Sequence, residues 1–312
     1  MKVRINKSLD LFGEIRRGGF YYVDKTMVMK EYLVDSFSPA ILLTRPRRFG
    51  KTMTLTMLRD FLDIGQDSRE IFRGLKIMDC PDVVGNYMNQ YPVIFLSLKE
   101  VFGRDFEETF VMFRNVVSTL CKEMVFLLES TRVNPYDREL LEKLMGRDHR
   151  VANPVEVLDL LSRMLCAEFG KPVFVLIDEY DVPMAKAAET PHYDQVRDMI
   201  EHMLSYVCKT NENVKGVLLS GCLYTLGNST YTGVNNIAPC TVLSPVFADS
   251  IGFTDEEVRK LLADAGVPDR YDAVTEWYDG YLFGREKMFC PWDGAQLCEQ
   301  SSGRELQSGH GP

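Results

Sequence analysis

Ala40-Ile-Leu-Leu-Thr-Arg-Pro-Arg-Arg-Phe-Gly-Lys-Thr52, continuing into Met53-Thr-Leu-Thr-Met-Leu-Arg-Asp-Phe-Leu62, is the stretch on which the fold turns. Its first five residues form an unbroken apolar run of strand length. Continuous apolarity, as opposed to alternation, is what a parallel sheet covered on both faces requires. After Thr52, Leu55, Leu58, Phe61 and Leu62 recur at helical spacing. Between strand and helix lies a short basic loop ending in Gly50-Lys51-Thr52.

A helix start leaves backbone N–H groups unpaired and carries partial positive charge, so a strand–loop–helix of this kind offers a seat for a polyphosphate. Gly50 lets the backbone approach phosphate without a Cβ in the way. Lys51 is expected to reach the β- and γ-phosphates and the Thr52 hydroxyl to ligate Mg²⁺. The candidate nucleotide-binding residues of the loop are Arg47, Arg48, Phe49, Gly50, Lys51, Thr52 and Met53. The usual pattern begins with a glycine where Arg45 stands, so only the second half of the motif is intact. Gly-Lys-Thr alone is a weak signal; the strand before it and the helix after it supply the required context.

Three further apolar runs are of strand length: 92–98 (PVIFLSL), 172–177 (PVFVLI) and 217–220 (VLLS). A fifth, 241–247 (TVLSPVF), is weakened by Pro245. The third run leads into Asp178-Glu179, two carboxylates at the C-terminal edge of a sheet, where open α/β sheets bind ligands. Asp178 is expected to hold Mg²⁺, directly or through water. Glu179 is expected to orient and deprotonate the water that attacks a γ-phosphate. The candidate catalytic residues are thus Glu179 and Lys51, and the candidate metal ligands Thr52 and Asp178. Ser220 ends the fourth run. It could contact the γ-phosphate or the attacking water, or satisfy a strand-end backbone group. Arg47 and Arg48 could stabilise phosphate charge or pair with acids such as Asp181; for Arg45 the structural reading is preferred.

Helical patterns separate the strands. Phe113, Val116, Val117, Leu120, Met124 and Leu128 make one long stripe, and Asn153-Pro154 opens a helix carrying Leu158, Leu161 and Leu165. Strand–helix alternation predicts an α/β parallel sheet flanked by helices. Thr254-Asp-Glu-Glu257 reads as a capping box, with Gly266 as the helix stop. Residues 1–248 are assigned to the core and 249–293 to a small helical lid or the start of an accessory domain. The polar stretch 294–312 is assigned to a disordered tail. The segment 21–26 (YYVDKT) could cover an adenine but reads better as an edge strand, and the aromatic 277–284 (WYDGYLFG) as packing within the lid.

The chain has 312 residues, a net charge of −9 and eight cysteines. The acidic balance argues against bulk nucleic-acid binding. No C-x-x-C pair or zinc-ligand spacing occurs, so the cysteines read as buried free thiols of a reducing compartment. No apolar run approaches the roughly 18 residues of a membrane span, and the N-terminus lacks the apolar core of a secretory signal. A cytoplasmic protein is expected.

Taken in order, YYVDKT, TRPRRFGKT, YPVIFLSL, VFVLIDEYD, GVNN, GFTDEEV and WYDGYLFG resemble the bacterial AAA-ATPase-like domain proteins, over about residues 5–293. The resemblance implies an additional-strand P-loop ATPase, related to the signal-transducing STAND group, with sheet order 5-1-4-3-2. It makes the arginine at position 45 a family trait. Many such proteins continue into a domain similar to PD-(D/E)xK nucleases, which implies control of an effector or nuclease-like partner. No acidic-x-Lys strand pair occurs here, and the tail after Asp293 reads as that of a truncated or frameshifted product. Relatives often carry an arginine just after the fourth strand, where this chain has Cys222, Leu223, Tyr224 and Thr225. The expected activity is ATP binding with slow Mg²⁺-dependent hydrolysis, or a nucleotide-gated switch with little turnover. Adenine is the default base, since no guanine-reading N/T-K-x-D sequence is present.

Overall fold

The computed structural model describes residues 4–5, 9–36, 38–146, 152–209, 211–224, 234–277 and 280–291. At its centre is a parallel sheet of β1 (Ala40–Thr44), β2 (Val93–Ser97), β3 (Val173–Asp178), β4 (Val214–Gly221) and β5 (Ala238–Cys240). The spatial order is β5-β1-β4-β3-β2, the order implied by the resemblance. Every residue of β1 and β3 is buried, as both-face coverage demands. Alternate side chains feed two cores. Ile41, Leu43, Phe174, Leu176 and Leu218 pack with Leu55, Leu58 and Phe61 of the helix Lys51–Leu62. Leu42, Val175, Ile177, Val217 and Leu219 pack on the other face with Leu158, Leu161, Met199 and Ile200.

The helix boundaries follow local chemistry. Asn153 Oδ1 accepts from the Val155 N–H at 3.2 Å, and a single 3₁₀ turn, Pro154–Glu156, precedes the helix Val157–Phe169, which Gly170 ends in the left-handed conformation. The Thr254 hydroxyl accepts from the Glu257 N–H while the Glu257 carboxylate accepts from the Thr254 N–H at 2.8 Å, so the capping box is complete on the helix Asp255–Asp264. The stripe expected over 113–128 is broken: the helix Phe106–Glu123 gives way to a 3₁₀ turn, Val125–Leu128.

Three further expectations differ from the structure. The fifth strand is not 241–247 but the preceding Ala238–Cys240, with Pro239 tolerated because the strand lies at the sheet edge. Residues 21–26 form no strand; the Tyr21 N–H bonds to the Arg4 carbonyl, and the segment runs on into the helix Met27–Leu33. The segment after 250 is not purely helical. Its helices Asp255–Asp264 and Tyr271–Trp277 accompany an antiparallel sheet of β6 (Phe253–Thr254), β7 (Tyr281–Phe283) and β8 (Glu286–Phe289), in the order β6-β8-β7. Residues 294–312, and the Gly233 of GVNN, lie outside the described residues.

Candidate nucleotide site

Because β4 lies between β1 and β3, the loops leaving these strands meet at one sheet edge. Gly50 stands at φ 88°, a conformation that glycine adopts without steric cost, and Arg48 at φ 68°. The loop thereby turns into the helix Lys51–Leu62 with Lys51 4% exposed. The Lys51 ammonium donates to the carbonyls of Arg45 and Pro46, both at 3.2 Å, and to Cys222 Sγ at 3.3 Å. The Thr52 hydroxyl donates to Asp178 Oδ2 at 2.7 Å, and the Ser220 hydroxyl donates to Asp178 Oδ1 at 2.5 Å. Loop, third strand and fourth strand are thus joined through a single carboxylate that is 2% exposed.

Glu179 follows at φ 53°, a strained conformation for a non-glycine residue. Its carboxylate lies 4.0 Å from Lys51 Nζ. Burial pushes its pKa up, with Asp178 and Asp181 adding to the effect and Lys51 and Arg47 opposing it. The Glu179 side chain is partly exposed, at 26%.

A cavity of about 360 Å³ opens here, within the range of small-ligand sites. Its lining includes Arg48, Phe49, Gly50, Lys51, Thr52 and Glu179, together with the aromatic and aliphatic side chains of Tyr21, Tyr22, Ile251, Phe253 and Leu261. Met53 also lines it, while Asp178 and Ser220 stand behind the wall, tied to each other.

The arginines divide. Arg45 is fully buried; its guanidinium donates to the carbonyls of Thr44, Cys240 and Phe247 and lies 4.9 Å from the centre of the Phe283 ring. Burial lowers its pKa to about 10, so it stays charged at neutral pH. It holds backbone and points away from the cavity. Arg47 and Arg48 are exposed. Asp181 is not bonded to an arginine, as the pairing reading required. Its Oδ2 accepts the N–H groups of Cys222 and Leu223 at 2.9 and 2.8 Å. Phe49 lines the cavity, and its ring also packs edge-on to Tyr281 at 5.0 Å.

Several site residues escaped the sequence reading. The Cys222 thiol accepts a hydrogen bond from the Lys51 ammonium, a role its sequence position did not suggest. Tyr180 is fully buried and donates to the Leu223 carbonyl at 2.7 Å, gripping the same loop as Asp181. Lys25 pairs with Glu257 at 2.6 Å and donates to the Asp249 carbonyl, closing the cavity between the N-terminal segment and the capping box. The spacing of the second acid in Asp178-Glu-Tyr-Asp181 was the one available signal among these.

Thr52 and Asp178 bring two side-chain oxygens together, 2.7 Å apart. Among the described residues, no group of three or more His, Cys, Asp or Glu side chains is gathered. This donor set suits Mg²⁺, which takes one or two protein oxygens and completes its shell with phosphate and water. Among the described residues, no helix is long and apolar enough to cross a membrane.

Comparison with known proteins agrees with the geometry. The chain is 25% identical over 287 residues to the "Uncharacterized protein in vnfD 5'region" of Azotobacter chroococcum mcd 1, covering 91% of this chain and 50% of that protein. The chain therefore spans about half the length of the curated relative it matches. Residues 7–228, which include the loop, the Asp178-Glu179 pair and all of β1 to β4, match the family described as Predicted AAA-ATPase, and the chain belongs to that family.

Proposed function

We propose that the chain binds ATP with Mg²⁺ at the 45–52 loop and hydrolyses it slowly. The observation that carries the reading is the Thr52–Asp178 hydrogen bond of 2.7 Å beside a cavity lined by Lys51, Thr52 and Glu179 together with aromatic and aliphatic side chains. A triphosphate on the helix start directs an attached base toward Tyr21, Tyr22, Ile251 and Phe253. Lys51 exchanges its carbonyl partners for β- and γ-phosphate oxygens. Thr52 and Asp178 hold the Mg²⁺, which when bound neutralises charge on the phosphates. Glu179 accepts a proton from the attacking water. No arginine stands among Cys222, Leu223, Tyr224 and Thr225 just after the fourth strand, and such a group can be worth about 10³ in rate, so turnover is slow.

A second reading is favoured by the way Arg45 and Phe49 fasten the loop to the 250–290 segment through the Phe283 and Tyr281 rings. In it, nucleotide acts mainly as a switch that changes a surface for an effector, which could be a nuclease-like protein. Equilibrium ATP binding with and without Mg²⁺, wild type beside Thr52→Ala, tests the common core of both. Wild type should bind more tightly with Mg²⁺, and the variant should lose that gain. Equal affinity in all four conditions would remove Thr52 from the metal site.

A further inference from the structure

The loop that faces the phosphates also faces the other way. Phe49 is 1% exposed, with its ring centre 5.0 Å from that of Tyr281 and 5.2 Å from that of Phe283. Gly252 stands at φ 98° against the same ring, where an added Cβ would come within 2.9 Å of Phe49 Cδ1. Four residues earlier, Arg45 reaches the Phe247 carbonyl and the Phe283 ring, and the Arg48 carbonyl accepts from the Cys290 thiol. The loop's own carbonyls at Arg45 and Pro46 are held by Lys51.

We infer that the 45–52 loop is the mechanical link through which phosphate occupancy is transmitted to the antiparallel β6-β8-β7 unit, with Phe49 and Arg45 as its two anchors. The inference rests on the phosphate-site reading. When Lys51 turns to a phosphate, the Arg45 and Pro46 carbonyls lose their donor. The backbone that carries both anchors then settles into its ligand-bound form. A close-packed aromatic contact passes such a shift on because it cannot deform continuously. The coupling is reciprocal: an ordered β7–β8 hairpin strengthens phosphate binding by the factor by which phosphate protects the hairpin.

Inorganic triphosphate with Mg²⁺ separates this route from a simpler one. It carries no base or sugar, so a response of 281–289 to it arises from occupancy of the loop and not from contacts of a base with the cavity wall. Amide hydrogen exchange of 281–289 is measured with and without saturating triphosphate, with binding followed in the same samples by calorimetry. The variants are Phe49→Leu, which keeps apolar volume, and Tyr281→Ala, at a half-exposed ring outside the loop. In wild type, exchange of 281–289 should slow by about fivefold or more, the lower end of ordinary coupling. Tyr281→Ala should still bind triphosphate, and both variants should lose most of that protection. Binding by wild type with unchanged exchange would overturn the coupling alone, as would protection retained in both variants. No triphosphate binding by folded wild type would overturn the phosphate-site reading and the coupling with it.

Discussion

Replacing Arg45 by glycine would restore the usual first residue of a phosphate loop, and the structure says that this protein should be harmed by it. The guanidinium makes three hydrogen bonds to buried carbonyls, on Thr44, Cys240 and Phe247. Hydrogen bonds from a charged donor contribute about 1.5–3 kcal/mol each. Against that stands the cost of burying the charge, visible in the pKa lowered to about 10, and Nε has no partner among the described residues. The fully buried stem also leaves a void when removed. A net loss of about 3 kcal/mol is the result, since removing one partner of a buried charged network commonly costs about 3–5 kcal/mol. In a chain of this size that lowers the thermal midpoint by roughly 5–10 °C. Differential scanning calorimetry reads it, with Arg45→Met as the control that keeps the stem and removes the donors. Arg45→Met should fall between wild type and Arg45→Gly, and triphosphate binding should suffer far less than in Lys51→Ala. A midpoint unchanged in both variants, or triphosphate binding lost as completely as in Lys51→Ala, would refute the structural assignment of Arg45.

Further outcomes follow from the same contacts. Asp178→Asn removes a buried carboxylate that holds two hydroxyls, so the free protein should melt within about 2 °C of wild type while the stabilisation by Mg·ATP, about 2.7 kcal/mol at a hundredfold excess over Kd, is lost; thermal shift with and without nucleotide checks both. Gly221→Ala would put a Cβ 2.6 Å from Asp181 Oδ1 and 2.7 Å from Tyr180 Cε1, costing about 1–3 kcal/mol in urea denaturation. Glu257→Gln keeps an acceptor for the helix cap but removes the charge facing Lys25, so the loss should stay within about 1 kcal/mol; a larger loss would show that the pair is not a partly solvated one.

Much of this architecture can be read from the sequence because β1, β3 and β4 are buried on both faces and announce themselves as unbroken apolar runs. The strand order, by contrast, came with the family resemblance and not from periodicity. What stayed hidden has physical causes. β5 is three residues long and contains Pro239, and β6 to β8 are two to four residues each, too short for any period to register. Tyr21 and Tyr22 look like strand residues because aromatic rings suit a pleated surface, yet here they serve as the wall of a cavity. At the site, Lys51, Thr52, Asp178 and Glu179 come together as their spacing suggested, since each sits at the end of a strand or the start of a helix fixed by the sheet. The second role of Phe49 stayed hidden because it depends on Tyr281 and Phe283, more than two hundred residues away, against which its ring packs while the residue also lines the cavity. Cys222 and Asp181 act through contacts between distant strands, which no short window contains.

The central claim is a phosphate site with separate binding and proton-transfer residues, and ATP binding and phosphate release with Mg²⁺ test it most directly, on wild type, Lys51→Ala and Glu179→Gln side by side. The account predicts that wild type binds ATP and releases phosphate slowly, that Lys51→Ala loses binding, and that Glu179→Gln binds ATP while losing turnover. Folded wild type that binds no ATP, or Lys51→Ala that binds it as well as wild type, would contradict it.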